Sequence, residues 1–458
     1  MKKDFTKAIH YTGKIADAWL PWKIQYDHIP GIAVGIVHKG KLVYQKGFGF
    51  ADTESKIPMT PDTSFRVASI SKTFTAVAIM QLVEYGKINL DDRIEQHLPW
   101  FKGRSKHSHA GSITIRHMLS HTGGVWRDGT TLHWENDEFP DFMTLKKSIS
   151  GKSFIAENLA RFRYSNFGFA VLGEIIAKTS GSTYGEYVVE HIIKKLGMEH
   201  TAPDWNDTND TWLAKGYSRP IPNKGRETFS PMETKAYAPA TGFLSNVSDL
   251  AKYLAALSMN SRGINTLLTE ASQREMMKEY TSTREAGFSY GLGFDIYSIQ
   301  KRKIVGHSGS FAGFITQISL DVENDIGVIT LTNTNDSSCG FINDGLFESI
   351  YEIFDEENKY GEGMILQDQD KFEGAYRSRW DDVVVVGIDT KLIAFNPKVN
   401  SPTRKGMLLK PKGRNKFLID VNSSFNTPPE FATFAFERGE KQATTFMSSA
   451  IPATRIEE

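Results

Sequence analysis

The chain has 458 residues, 40% apolar, 12% aromatic and 24% charged, a composition that excludes a disordered or collagen-like chain and supplies a large core. Its 54 basic residues balance 54 acidic ones, so total charge points to neither nucleic acid nor an anionic membrane as partner. With one cysteine, Cys339, there is no intramolecular disulfide, thiolate metal cluster or C-x-x-C redox pair.

The N-terminus opens on Met1-Lys2-Lys3 but continues through Ala8-Ile9-His10-Tyr11 without the apolar stretch of a signal peptide. Apolar runs such as residues 74–80 are far below the ~20 residues that span a bilayer, so a cytoplasmic chain without membrane contact is expected. Residues 32–37 and 42–50, rich in β-branched and aromatic side chains around His38-Lys39-Gly40-Lys41, read as a β-hairpin. Residues 70–85 then change to a 3.6-residue apolar period stopped by Gly86-Lys87. Residues 167–178 and 184–196 also read as helices, and another follows the capping pair Asn246 and Asp249. A second hairpin is expected from residues 314–320 and 326–331 around Val322-Glu323-Asn324-Asp325, followed by a helix over about 343–354. Strands at both ends with helices between predict an α/β (α+β) unit over 1–354. Its antiparallel sheet combines N- and C-terminal strands, and its helical lobe is inserted at about 90–200. Residues 352–370 hold seven acidic residues and one lysine and read as a linker, assigned to 355–370. Residues 371–458 give about seven short strands at roughly 8–12-residue spacing, the pattern of a small antiparallel barrel. Their 14 basic and 10 acidic residues are too nearly balanced to imply nucleic acid.

The first candidate for chemistry is Ser69-Ile70-Ser71-Lys72, where the chain enters a helix. A spacing of three puts both side chains on one helix face, so a lysine desolvated by apolar neighbours can activate the serine hydroxyl. The bland alternative is a capping serine beside a solvated lysine. A second S-x-x-K, Ser298 to Lys301, lies in a strand-turn-strand context where that spacing does not align side chains. Tyr164-Ser165-Asn166 is the only Y-x-N among 16 tyrosines, in a loop where Tyr164 could shuttle a proton and Asn166 hold a substrate amide. The alternative is a buried tyrosine before an N-cap. H-x-G occurs at His38, His109, His121 and His307. The first belongs to a hairpin turn and the second to a polar loop. His107 and His109 weakly suggest a metal, but the sequence marks no third ligand. His307-Ser308-Gly309 follows an edge-strand-like run.

Taken in order, Ser69-x-x-Lys72, Tyr164-x-Asn166 and His307-x-Gly309 resemble the serine β-lactamase and penicillin-binding-protein superfamily. The branch with class C β-lactamases, D-aminopeptidases, D-Ala-D-Ala carboxypeptidases and family VIII carboxylesterases is the nearest in pattern. Phe65 to Ser69, Ile115 to Gly124, Pro239 to Ser245 and Tyr290-Gly291-Leu292-Gly293 match as well. The resemblance implies the β-lactamase/transpeptidase-like fold and a serine hydrolase acting through an acyl-enzyme on a small ester or peptide amide. No metal or cofactor is expected, and a homo-oligomer is a possibility it carries. By position Ser69 is acylated, Lys72 and Tyr164 share proton transfer, and Asn166 positions substrate. His307 and Gly309 form the third motif, and the N–H groups of Ser69 and Ser310 make the oxyanion hole. His121 falls in a structural loop. Where β-lactamases usually carry lysine in the third motif this chain has His307, partly charged near neutral pH, which favours an esterase or peptidase. A β-lactamase, or a non-catalytic scaffold on the same fold, are the alternatives. The C-terminal strands resemble the lipocalin-like barrels some of these hydrolases carry.

Overall fold

The computed structural model describes residues 4–456, apart from 102–112, 151–160, 210, 212, 259–265, 284, 360–365, 367, 421–429 and 449–450. His107, His109 and Gly361-Glu362-Gly363 of the acidic segment lie outside the described residues. The chain divides into two compact units, Pro30–Gly340 and Met1–Ile29 with Phe341–Glu458. The terminal helices thus group with the barrel, whereas the sequence pattern had assigned residues 1–354 to the first unit.

The first unit is built on a nine-stranded antiparallel sheet. From edge to edge its order is Ile57–Pro58, Lys41–Asp52, Gly31–His38, Ile326–Thr332, Phe314–Asp321, Arg302–Phe311, Asp295–Ile299, Ser289–Tyr290 and Thr281–Ser282. The two expected hairpins meet at its centre, with Ile32 opposite Thr332 and Val37 opposite Gly327. Lys39 and Gly40 both have positive φ (50° and 72°), the two-residue turn that matches strand twist. The helix Val247–Leu257 lies on this sheet, and it approaches closely because two strand positions lack side chains. A Cβ on Gly35 would stand 2.4 Å from Val247 Cγ1, and one on Gly327 3.0 Å from Leu254 Cδ1. Its Asn246 cap accepts from Asp249 N at 2.8 Å. The Asp249 carboxylate does not return the cap; it accepts from His200 N and Thr201 Oγ1.

Between the hairpins stand the expected helices, with Ser71–Glu84 at the centre of the lobe. Every residue from Ser71 to Leu82 is buried, so this helix is enclosed on all sides rather than amphipathic, and Lys72 is enclosed with it. The helix Asn166–Ser180 packs against the Ala238–Gly242 segment, where a Cβ on Gly173 would fall 2.2 Å from Pro239 Cγ.

In the second unit eight antiparallel strands, from Gly374–Arg377 to Ile451–Ile456, close into a barrel. The last strand pairs with the first, Ala375 opposite Ile456. The sequence pattern gave seven strands. The eighth is mostly exposed and carries Pro452, so it lacks the alternation that identifies a strand. Phe372, Tyr376, Phe417, Phe434 and Phe446 fill the interior. The helix Thr6–Tyr26 had no counterpart in the sequence reading, although Ala8, Thr12, Ile15, Ala16, Trp19 and Lys23 repeat on one buried side. It is tied to the barrel unit by Lys14 to Glu373 at 2.9 Å and Trp19 Nε1 to the Val399 carbonyl at 3.1 Å. The closing helix runs over Cys339–Lys359, longer than its apolar pattern, and Phe354 stacks on Phe5 at 4.0 Å. Among the described residues no helix is long and apolar enough to cross a membrane.

Candidate active site

Ser69 sits in the single turn Ala68–Ile70 that leads into the buried helix, partly exposed among buried neighbours. The approach to it is clamped. Val67 N donates to the Phe243 carbonyl at 2.9 Å, and Thr316 Oγ1 donates to the Val67 carbonyl at 3.1 Å. Arg66, 1% exposed, donates to the Gly242 and Met232 carbonyls and pairs with Asp204 at 3.0 Å. The residue between clamp and serine, Ala68, is held at φ +52°. A non-glycine residue there costs about 1–2 kcal/mol, a strain the surrounding bonds sustain at the position that aims Ser69.

Lys72 Nζ lies 3.1 Å from Ser69 Oγ and donates to the Ala240 carbonyl at 2.7 Å. The side chain is fully buried, and that burial drives its pKa well below the usual lysine value, against the opposing pull of Asp128. The Tyr164 hydroxyl donates to Ser69 Oγ at 2.8 Å. Burial raises the Tyr164 pKa, outweighing the Ser69 hydrogen bond, so it is a neutral phenol and a donor. Ser69 Oγ therefore accepts from Tyr164, and its own proton is free to turn to Lys72 Nζ when that amine is unprotonated, the form its burial favours.

Asn166 opens the next helix, and its Nδ2 donates to Asp128 Oδ1 at 2.7 Å. A carboxylate only accepts, so this bond fixes the amide and leaves Asn166 Oδ1 as an acceptor. That atom is buried without a partner among the described residues. His307 is 2% exposed on the strand Arg302–Phe311. Its Nδ1 lies 2.6 Å from the Ser308 carbonyl and its Nε2 2.9 Å from the Tyr290 hydroxyl. The carbonyl requires the proton on Nδ1, so Nε2 accepts from Tyr290. Burial lowers the His307 pKa, with Asp295 opposing. The partial charge expected of this histidine is accordingly reduced. Ser308 and Ser310 line the cavity beside it. Gly309 turns the other way: a Cβ there would be 2.2 Å from the Val67 carbonyl oxygen, so its bare backbone lets the strand meet the loop that carries Ser69.

The rival His121 is buried behind this cluster, its Nδ1 accepting from Ser165 N at 3.1 Å and its ring 4.4 Å from that of Tyr164. It holds the Tyr164-Ser165-Asn166 turn from behind. In the second S-x-x-K, Ser298 pairs with Lys303 on the strand, whereas Lys301 lies in the two-residue turn Gln300-Lys301, both of whose residues have positive φ.

Ser69, Tyr164, Asn166, His307, Ser308 and Ser310 share one open cavity of about 540 Å³, and Lys72 reaches it from beneath Ser69. Arg127, Asp128, Trp134, Thr241 and Asp295 complete its wall; the sequence marked the stretch 126–142 as pocket-shaping and Thr241 within a family phrase, but singled out none of the five as a site residue. Asp128 and Trp134 lie in a stretch without periodicity. Asp295 had a usable signal: the turn at Gln300-Lys301 sets it opposite Gly306, hence beside His307.

The Beta-lactamase family model matches residues 23–345. Protein flp of Staphylococcus aureus (strain MW2) is 26% identical over 323 residues, covering 70% of this chain and 62% of that protein. The chain thus spans less than two thirds of the length of this curated relative. Among solved structures, an octameric penicillin-binding protein homologue from Pyrococcus abyssi has a TM-score of 0.65 at 23% identity, covering 96% of this chain and 99% of its own. EstCE1, described as a hydrolase with promiscuous acyltransferase activity, has a TM-score of 0.60 at 22% identity, covering 76% and 98%. A D-stereospecific amidohydrolase from Streptomyces sp. has a TM-score of 0.59 at 22% identity, covering 75% and 97%. At these identities the likeness to the solved structures establishes the fold.

Proposed function

The chain belongs to the Beta-lactamase family, and from that premise we propose that it is a serine hydrolase forming a covalent acyl-enzyme on a small ester or peptide amide. The observation that carries the reading is Ser69 Oγ between Lys72 Nζ at 3.1 Å and the Tyr164 hydroxyl at 2.8 Å, the lysine buried with no carboxylate in salt-bridge reach among the described residues. Ser69 Oγ attacks the acyl carbon as its proton passes to the neutral Lys72 amine. The carbonyl oxygen takes up the negative charge and is received by the N–H groups of Ser69 and Ser310. Collapse breaks the bond to the alcohol or amine, which leaves with the proton returned from Lys72 by way of Tyr164. Water then repeats the sequence at the acyl carbon, releasing the acid and restoring Ser69. His307, Tyr290 and Gly309 set the position of the strand that carries Ser310.

The D-stereospecific amidohydrolase and the hydrolase EstCE1 support the ester-or-amide range. The Pyrococcus homologue, octameric by its description, supports a homo-oligomer here; a mass in solution equal to the 51.4 kDa monomer would refute that part. The mechanism is tested with a fluorophosphonate probe. Wild type labels covalently and Ser69→Ala does not; equal labelling of the two, or none of wild type, removes the assignment.

A further inference from the structure

The cavity around Ser69 is lined with acceptors. Asp128 accepts from Asn166, and its second oxygen is 3.3 Å from Arg127, whose guanidinium lies at the mouth, 68% exposed and 5.3 Å over the Tyr164 ring. Asp295 stands on the opposite strand with a quarter of its side chain exposed. Among the described residues no lysine or arginine pairs with it, and its closest basic atom is His307 Nδ1 at 4.0 Å. That nitrogen's proton is directed to the Ser308 carbonyl. Asn166, 5% exposed and part of the same wall, keeps an unpartnered acceptor in Oδ1. The other two basic side chains at the site are turned away from the substrate: Lys72 is fully buried and donates to the Ala240 carbonyl, and His307 Nδ1 is held by the Ser308 carbonyl. Two carboxylates therefore face the substrate, against one guanidinium at the mouth. A carboxylate-bearing substrate meets like charge here, and an ammonium meets complementary charge.

We propose that the acyl donor carries a protonated amine near its scissile carbonyl, received by Asp295 and Asp128, so that the preferred substrate is an amino-acid ester or amide with a free amino group. This rests on the hydrolase reading and narrows it. Trp134, 44% exposed on the same wall, offers an apolar face to the substrate side chain.

The test compares phenylalanine p-nitroanilide, of both configurations, with its N-acetyl and N-succinyl derivatives on the full chain. The expected order of kcat/KM is free amine, then N-acetyl, then N-succinyl, with at least about tenfold between the first two. Asp295→Asn and Asp128→Asn each reduce the ratio of free-amine to N-acetyl turnover about tenfold. An N-acetyl or N-succinyl substrate turned over as well as the free amine by wild type overturns the proposal, as does a ratio that neither variant moves. Fluorophosphonate labelling of the same preparation separates the two readings. Labelling without amine preference removes only the substrate class, whereas no labelling and no turnover remove the hydrolase itself.

Discussion

Replacing Gly309 by alanine probes whether the third-motif strand positions the nucleophile. The added methyl would lie 2.2 Å from the Val67 carbonyl oxygen and 2.3 Å from Thr316 Oγ1, about 1.2 Å short of the 3.4 Å at which ordinary contact begins. The strand Arg302–Phe311 is paired on both sides, with Asp295–Ile299 and Phe314–Asp321, so the Val67 loop is the side that yields. That loop holds Ala68 at φ +52° and, two residues after Val67, Ser69. A displacement of order 1 Å at a reacting group costs roughly 10²-fold in rate, and overpacking costs about 1–3 kcal/mol of stability. The second-order rate of fluorophosphonate labelling should therefore fall roughly hundredfold, with the melting temperature lowered by a few degrees. The labelling rate requires no knowledge of the natural substrate. A Gly309→Ala protein that labels within about twofold of wild type, with an unchanged melt, would show that the contact between strand and loop does not set the Ser69 geometry.

Three further outcomes follow from the same structure. Lys72→Met should lower the labelling rate by about 10²–10⁴, and in wild type the rate should rise with pH along a limb well below the ordinary lysine value. A limb near that value would mean that burial does not neutralise the amine. Asp204→Ala removes the carboxylate partner of the buried Arg66 and should cost about 3–5 kcal/mol in denaturant unfolding; a loss below about 1 kcal/mol would assign the guanidinium's stability to its carbonyl partners alone. His121 and His307 both have folded-state pKa values lowered by burial, so the unfolded chain binds more protons than the native one below about 6.5. Stability is then full above that pH and lost as pH falls, by up to about 1.4 kcal/mol per pH unit for each histidine. Unfolding midpoints that stay level between pH 7 and pH 5 would contradict the buried neutral state of both rings.

Local chemistry, written in short windows of sequence, was enough for much of this protein. The hairpins around Lys39-Gly40 and Asn324-Asp325, the helix stopped by Gly86 and the Asn246 cap each depend on a few adjacent residues, and each stands where those residues put it. The order Ser69, Lys72, Tyr164, Asn166, His307 was legible for the same reason, because each motif is a spacing of two or three along one element. The helix Thr6–Tyr26 was missed because its buried side includes threonine and lysine, and Ile451–Ile456 because its pairing comes from closing the barrel and not from its own pattern. What only the tertiary structure decided is how far each side chain is from water and from charges distant in sequence. The Lys72 pKa is lowered because the whole lobe closes around it, and that of His307 because Tyr290 and the strand bury it. Asp128 and Asp295, 167 positions apart in the chain, acquire a common role by facing one cavity. Burial and long-range electrostatics are properties of the packed molecule, and no window of sequence contains them.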